Sequence, residues 1–294
     1  MLSWLDANLV SILNGVAIGF LLFILAIGLS LIFGMMDVLN LAHGALFLLG
    51  AYLAWAIAGG DPSWGGFLLA IAVAALVGLA SGGVLAVAVE PLRRRGHLDQ
   101  ALLTLGVALV AAELLALLFG RDVRGIDPPP GLDRGVVVLG DQYPVYRLAL
   151  IGVGLVLAVV AHLVVERTTV GSLIRATVAD RDMVSAIGVA QHRVRFAVLG
   201  LGSLMAAVAG VLGGPIYGAR PGLDATVLIL ALVVVVIGGL GSVRGALVAA
   251  LLIGQIESLG RAVLADAASF ILFGALAIVL ILWPQGLFAR QGAR

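Results

Sequence analysis

The sequence contains no cysteine and no lysine, so all 17 of its basic residues are arginine. Without cysteine there is no disulfide, no thiolate metal site and no cysteine nucleophile. Without lysine there is no G-x-x-x-x-G-K-[ST] phosphate-binding loop and no lysine Schiff-base chemistry. If ATP drives this chain, another chain binds it. Charge is scarce: 11% of residues are charged, against about 25% in soluble domains. The net charge is +1, which gives no electrostatic case for a nucleic-acid partner. H-E-x-x-H, G-x-S-x-G and clustered acids are also missing, so no intramembrane enzyme signature is present.

What is abundant is apolar: 62% of residues are hydrophobic and mean hydropathy is +1.20. A water-soluble fold of 294 residues could not hide so much apolar surface, so the solvent for most of the chain is lipid. The first residues carry Asp6 and no arginine, unlike a cleaved signal peptide, and the first apolar run is expected to be retained.

A spanning helix needs about 20 mostly apolar residues. On that measure the chain divides into spans at roughly 9–33, 38–59, 64–89, 101–119, 148–165, 196–217, 223–243, 245–260 and 267–283. The expected fold is an all-α, polytopic transmembrane bundle of about eight or nine spans, one permease domain over 1–294, with broken or re-entrant helices. The eighth span is short and is a candidate for such a break. Asp6 and Asp37 bracket the first span, and Trp64 suits an interfacial anchor.

Residues 120–147 are expected to form a loop outside the cytoplasm. Pro128-Pro129-Pro130 cannot continue a helix. Val136 to Leu139, Gly140-Asp141 and Tyr143 to Tyr146 suggest a hairpin. Arginines concentrate in alternate loops: Arg93 to Arg95; then Arg167, Arg175, Arg181, Arg193 and Arg195; then Arg244; then Arg290 and Arg294. Asp balances Arg in the others, including Arg220 with Asp224 and Arg261 with Asp266. The positive-inside rule puts the first set in the cytoplasm, with the N-terminus outside and the C-terminus inside.

Three segments do more than span. Gly34 to Gly44 places Asp37, Asn40 and His43 between two apolar runs without room for a normal loop. Unpaired backbone at membrane depth must line a protein cavity, and broken helices sit beside transport pathways. The alternative is a tight turn with Asn40 and His43 as caps. Ile237 to Leu247, with Gly238, Gly239 and Gly241, echoes the first break: His43-Gly44-Ala45-Leu46 and Arg244-Gly245-Ala246-Leu247 each open an apolar helix. Paired breaks point to an internal pseudo-repeat, or the glycines serve only close packing.

The third segment, 168–189 within a cytoplasmic loop at 166–195, reads as one short amphipathic helix. Ser172 is its cap, Gly188 its end, and Leu173, Ala176, Ala179, Met183, Ala186 and Ile187 its apolar face. It either lies on the membrane or docks on a soluble subunit. Mixed charge at Arg175, Asp180, Arg181 and Asp182 argues against simple adhesion to anionic lipid. Glu113, His162 and Glu257 are the ionisable residues inside spans, too few for a proton relay. That weakens, without removing, a stand-alone secondary carrier or channel.

The residues carry a specific resemblance in order along nearly the whole chain. Asn14-Gly15, Ala26 to Gly34, Leu39-Asn40-Leu41-Ala42-His43-Gly44 and Leu49-Gly50-Ala51-Tyr52 resemble the opening of LivH-type permeases of branched-chain amino-acid ABC importers. The 167–189 segment is similar to that family's coupling loop, and Gly238 to Ser242 with Gly245-Ala246 to its late signature. Leu46 departs from the polar or acidic residue expected there, which leaves the ligand open.

The resemblance implies a substrate pathway at Asn40, His43, Gly44, Gly238, Gly239 and Gly241. It implies ATPase coupling through Gly171, Arg175, Ala176, Asp180, Arg181, Ala186 and Gly188. It implies a second, LivM-like permease chain, two cytoplasmic ATP-binding subunits and an extracytoplasmic binding protein, at a bacterial inner membrane. No cofactor is expected on this chain, and ATP belongs to the partner subunits. Sister systems carry urea or short amides.

Overall fold

A computed structural model describes residues 2–36, 39–94, 96–138, 140–186, 188–263, 268–282 and 286–287. Asp37, Arg95, Leu139, Ile187, Asp266, Arg290 and Arg294 lie outside the described residues. Eleven α-helices follow in order among those described: α1 (Leu2–Met36), α2 (His43–Ala58), α3 (Trp64–Val89), α4 (His97–Phe119), α5 (Val145–Arg167), α6 (Thr169–Ala179), α7 (Arg181–Ala186), α8 (Gln191–Tyr217), α9 (Leu223–Gly238), α10 (Val243–Val263) and α11 (Ala268–Leu282). The expected hairpin forms between α4 and α5, with β1 (Gly135–Val138) antiparallel to β2 (Asp141–Pro144) and Val136 opposite Tyr143. Burial pushes the Tyr143 hydroxyl up to about 12, so it stays a neutral anchor at physiological pH.

Among the described residues, six helices are long and apolar enough to cross a membrane: α1, α3, α4, α5, α8 and α10. Two shorter apolar helices, α2 and α9, have 16 residues each. The chain is a multi-pass helical membrane protein. The expected break in the eighth span is not there: α10 is continuous over 21 residues. Its apolar run looked short because Arg244 and Arg261 bound it, yet both belong to the helix, as do Gln255 and Ser258 inside the run. The Gln255 amide donates to the Ile12 carbonyl at 2.9 Å and the Ser258 hydroxyl to the Ser11 carbonyl at 2.6 Å. Polar side chains on the face toward α1 are satisfied there, so the helix has no reason to end.

The core is built on α1 and α8, the most buried of the spanning helices. The two most extensive helix pairs are α1 with α10 and α3 with α8. α2 packs on α3 about as extensively as α9 packs on α10, and α2 meets α9. These pairs match α1, α2 and α3 with α8, α9 and α10, although α2 meets α8 far more extensively than α9 meets α1. The sequence echo instead aligns the start of α2 with the start of α10.

Small residues allow the close approach. A Cβ on Gly50 would lie 1.9 Å from the Ala207 carbonyl oxygen, and one on Gly210 would lie 1.9 Å from that of Phe47. Lipid offers no hydrophobic drive between helices, so contact of this kind holds them together.

The helix ends sort into two sets. At one end Gly34 abuts Gly241, Gly286 abuts Gly239, the Leu287 N–H donates to the Ile237 carbonyl, and Arg195 bonds Glu90 at 2.8 Å. Ile32, Val89, Ile174, Val194 and Val198 cluster beside them. At the other end Arg147 donates to the Asn14 side chain, the Trp64 indole donates to the Pro130 carbonyl at 3.1 Å, and Arg124 and Ala219 exchange backbone hydrogen bonds. There too Tyr52 stacks on Phe119 at 4.8 Å and the Arg124 guanidinium covers Trp55.

Among the described helices, α1, α3, α4, α5, α8, α10 and α11 run between the two ends, so α1 starts at one and α11 finishes at the other, while α2 and α9 meet at their first turns, Gly44 against Asp224. The arginine-bearing segments at 93–94, 167–195 and 244 all fall at the first end.

Candidate functional site

The first break, 39–42, is pinned from three directions. The Asn40 side-chain oxygen accepts the Ala42 N–H at 3.2 Å, and the His43 N–H reaches the Asn40 carbonyl at 3.2 Å. Asn40 therefore closes a turn ahead of α2, whose N-cap is Ala42 with no side-chain cap bond. The His43 Nε2–H donates to the Leu25 carbonyl on α1 at 2.9 Å. Thr104 on α4 holds the break from the far side. Its hydroxyl donates to the Leu39 carbonyl and accepts the Leu41 N–H, both at 3.1 Å.

Both Asn40 and His43 are buried, and each keeps one polar atom, Asn40 Nδ2 and His43 Nδ1, without a partner among the described residues. A buried polar atom left unpaired costs about 1–3 kcal/mol. Two of them three residues apart mark a place with spare hydrogen-bonding capacity.

The second break, 239–242, lies against the end of α1. Gly239 and Gly241 have φ of +89° and +71°, a region that glycine enters at little cost. The Ser242 hydroxyl accepts the Gly245 N–H at 3.0 Å and so caps α10. The buried Ser30 hydroxyl of α1 accepts the Gly241 N–H at 3.1 Å. A Cβ on Gly34 would sit 2.8 Å from the Gly241 backbone. The Gly34 end of the first segment is thus brought against the second break.

The remaining pathway candidates are spacing glycines. A Cβ on Gly44 would lie 2.3 Å from the Asp224 carbonyl, and one on Gly238 would lie 2.6 Å from the Gly245 backbone. Gly239 faces Gly286.

The third segment departs from its expected form. It is two helices, α6 and α7, broken at Asp180, whose backbone is extended. The Asp180 carboxylate accepts the Met183 N–H at 2.9 Å; an aspartate that caps a new helix start competes with helix continuation. The first cap is Thr168, accepting the Gly171 N–H at 3.1 Å, rather than Ser172, whose hydroxyl accepts from Arg175.

The buried face differs too. Gly171, Ile174 and Thr177 turn inward, whereas Ala176, Met183 and Ala186 are exposed. Gly171 has to be small, since a Cβ there would meet the Val165 carbonyl at 2.2 Å. Arg181 opens α7 and Gly188, at φ +86°, follows its end. Apolar side chains that the sequence assigned to packing are left facing outward at the arginine-rich end.

The ionisable residues inside helices are paired or peripheral. Glu113 bonds Arg121 at 2.5 Å with both exposed, Glu257 pairs with Arg261, and His162 is half-buried on α5. Among the described residues no group of three His, Cys, Asp or Glu could hold a metal. Sequence reasoning missed Ser30 and Thr104. A lone hydroxyl inside an apolar run was the available signal in both cases.

Comparison with known proteins was then informative. No solved structure matches the chain. It is 30% identical, over 94% of both chains, to the high-affinity branched-chain amino acid transport system permease protein LivH of Salmonella typhimurium, and equally to that of Escherichia coli strain K12. It is 28% identical, over 95% of both, to the permease protein BraD of Pseudomonas aeruginosa. The family model for the permease component of branched-chain amino acid transport systems matches residues 11–282. With a helical membrane bundle and a match along nearly its full length, the chain belongs to the branched-chain amino acid transport system permease family.

Proposed function

We propose that this chain is a permease subunit of a binding-protein-dependent ABC importer that carries branched-chain amino acids across a bacterial cytoplasmic membrane. The observation that carries the reading is similarity to LivH and BraD proteins over 94–95% of the chain. The arginine-rich end faces the cytoplasm. There the exposed Ala176, Met183 and Ala186 of α6 and α7 dock one ATP-binding subunit, and Gly171 and the Asp180 cap hold the two helices in place. ATP is bound by that subunit and its counterpart, since this chain lacks the lysine of a phosphate-binding loop. A second permease chain completes the pathway, and an extracytoplasmic protein delivers the solute at the hairpin end.

In this scheme Asn40 and His43 offer their spare polar atoms to the solute or its water. Gly44, Gly238, Gly239 and Gly241 let the backbone approach closely enough to shape the passage. An aliphatic zwitterion needs donors and acceptors beside an apolar wall, which is the composition found there.

The test is reconstitution of the assembled complex in proteoliposomes with ATP and binding protein. Labelled leucine, isoleucine and valine should accumulate inside and labelled urea or acetamide should not. Accumulation of the amides alone would overturn the substrate class, and solute entry without ATP would overturn the ABC mechanism.

A further inference from the structure

A cavity of about 820 Å³ opens between the end of α3 and the start of α8, with Gln100 of α4 on its wall. Its mouth carries His192, Arg193 and Arg195 against one carboxylate, Glu90. Its walls are apolar, chiefly Val87 and Phe196. Gly83 makes the room, since a Cβ there would lie 2.8 Å from the Phe196 ring. Arg195 is committed to Glu90 at 2.8 Å, while His192 and Arg193 are exposed. Below the mouth the apolar surface continues along both helices toward the middle of the bundle, with Val84 69% and Leu201 50% exposed.

A cationic mouth at the arginine-rich end, over an open apolar seam between two spanning helices, has the layout of a lipid rather than of a free solute. The headgroup phosphate meets guanidinium and imidazole N–H donors. The acyl chain lies on the seam. Basic pockets between helices at the cytoplasmic side attract anionic headgroups in this way. A free anion would leave the apolar walls unused, and a zwitterionic lipid would present its own cation to the arginines.

We propose that the groove between α3 and α8 is a binding site for an anionic phospholipid, with Arg193 and His192 on the phosphate and Val87 and Phe196 against the upper acyl chain. The site is independent of the importer reading.

The test is native mass spectrometry of the full chain in neutral detergent. Phosphatidylglycerol and phosphatidylcholine of equal chain length serve as probes. Phosphatidylglycerol should be retained in preference. Arg193→Ala should lower its retention about fivefold, the effect of one arginine near a membrane surface. Arg193→Lys should restore most of it, and Arg244→Ala, exposed at the same end but outside the groove, should leave it unchanged. Phe196→Ala should weaken retention of long-chain lipid more than of its short-chain analogue. Equal retention of the two lipids, an equal loss in Arg193→Ala and Arg244→Ala, or displacement of the lipid by millimolar inorganic phosphate would each overturn the proposal. So would efficient cross-linking of a cysteine at Val87 to a second permease chain in the assembled complex, which would make the groove a subunit interface.

Discussion

The Ser30 hydroxyl accepts the backbone N–H of Gly241 at 3.1 Å across 211 residues of sequence, and this bond fastens the second break to the end of α1. Ser30 is fully buried, whereas Gly241 is half-buried. Ser30→Ala should cost about 1 kcal/mol, the net worth of one hydrogen bond. Thermal unfolding in detergent will read the loss. Wild-type stability would mean that Gly241 finds another acceptor.

Thr104 makes two bonds to the first break, one as donor and one as acceptor. Thr104→Val keeps the shape and removes both. It should reduce solute uptake by the assembled complex and lower the unfolding temperature, while Thr104→Ser recovers both. Equal behaviour of the Val and Ser variants would remove the hydroxyl from the account.

Gly50 and Gly210 set the spacing of α2 and α8 through reciprocal backbone contacts. Neither position has a flexible side chain that can move aside. Gly50→Ala should therefore destabilise the bundle by about 1–3 kcal/mol, in the range of overpacked cores. Gly60→Ala is the control, because a Cβ there meets nothing within 4 Å. Comparing their yields and unfolding midpoints distinguishes local strain from a general intolerance of substitution.

Ala186 is exposed on α7 in the proposed docking surface. Ala186→Arg should leave membrane insertion intact and weaken co-purification of the ATP-binding subunit about tenfold, the loss of a modest interface residue. Undiminished co-purification together with normal uptake would exclude α7 from docking.

The chain has no native cysteine, and Asp141 is exposed at the turn of the hairpin. In Asp141→Cys, an impermeant thiol reagent should react in intact spheroplasts. Labelling only after lysis would reverse the orientation.

Much of this architecture was legible in the chain. Long apolar runs gave α1, α3, α4, α5 and α8 to within a few residues, because a bilayer sets helix length more strictly than water does. The two breaks were legible as well, since Gly34 to Gly44 and Gly238 to Gly245 interrupt otherwise uniform hydropathy. The contact of Ser30 and Gly34 with Gly241 was not, because no local pattern encodes a tertiary contact. α10 was misread because charges at Arg244 and Arg261 look alike whether they end a helix or lie in its first and last turns. α6 and α7 were fused because periodicity does not register a cap, and Asp180 serves as one.

The 16-residue helices α2 and α9 pack against each other. At 1.5 Å per residue each is about 24 Å long, whereas the hydrocarbon layer is about 30 Å thick. Their contact is made at the first turns, Gly44 against Asp224 and Leu228, so neither helix crosses that layer alone. In the proposed importer, two such helices starting from a shared point would shorten the dry distance that a zwitterion has to travel.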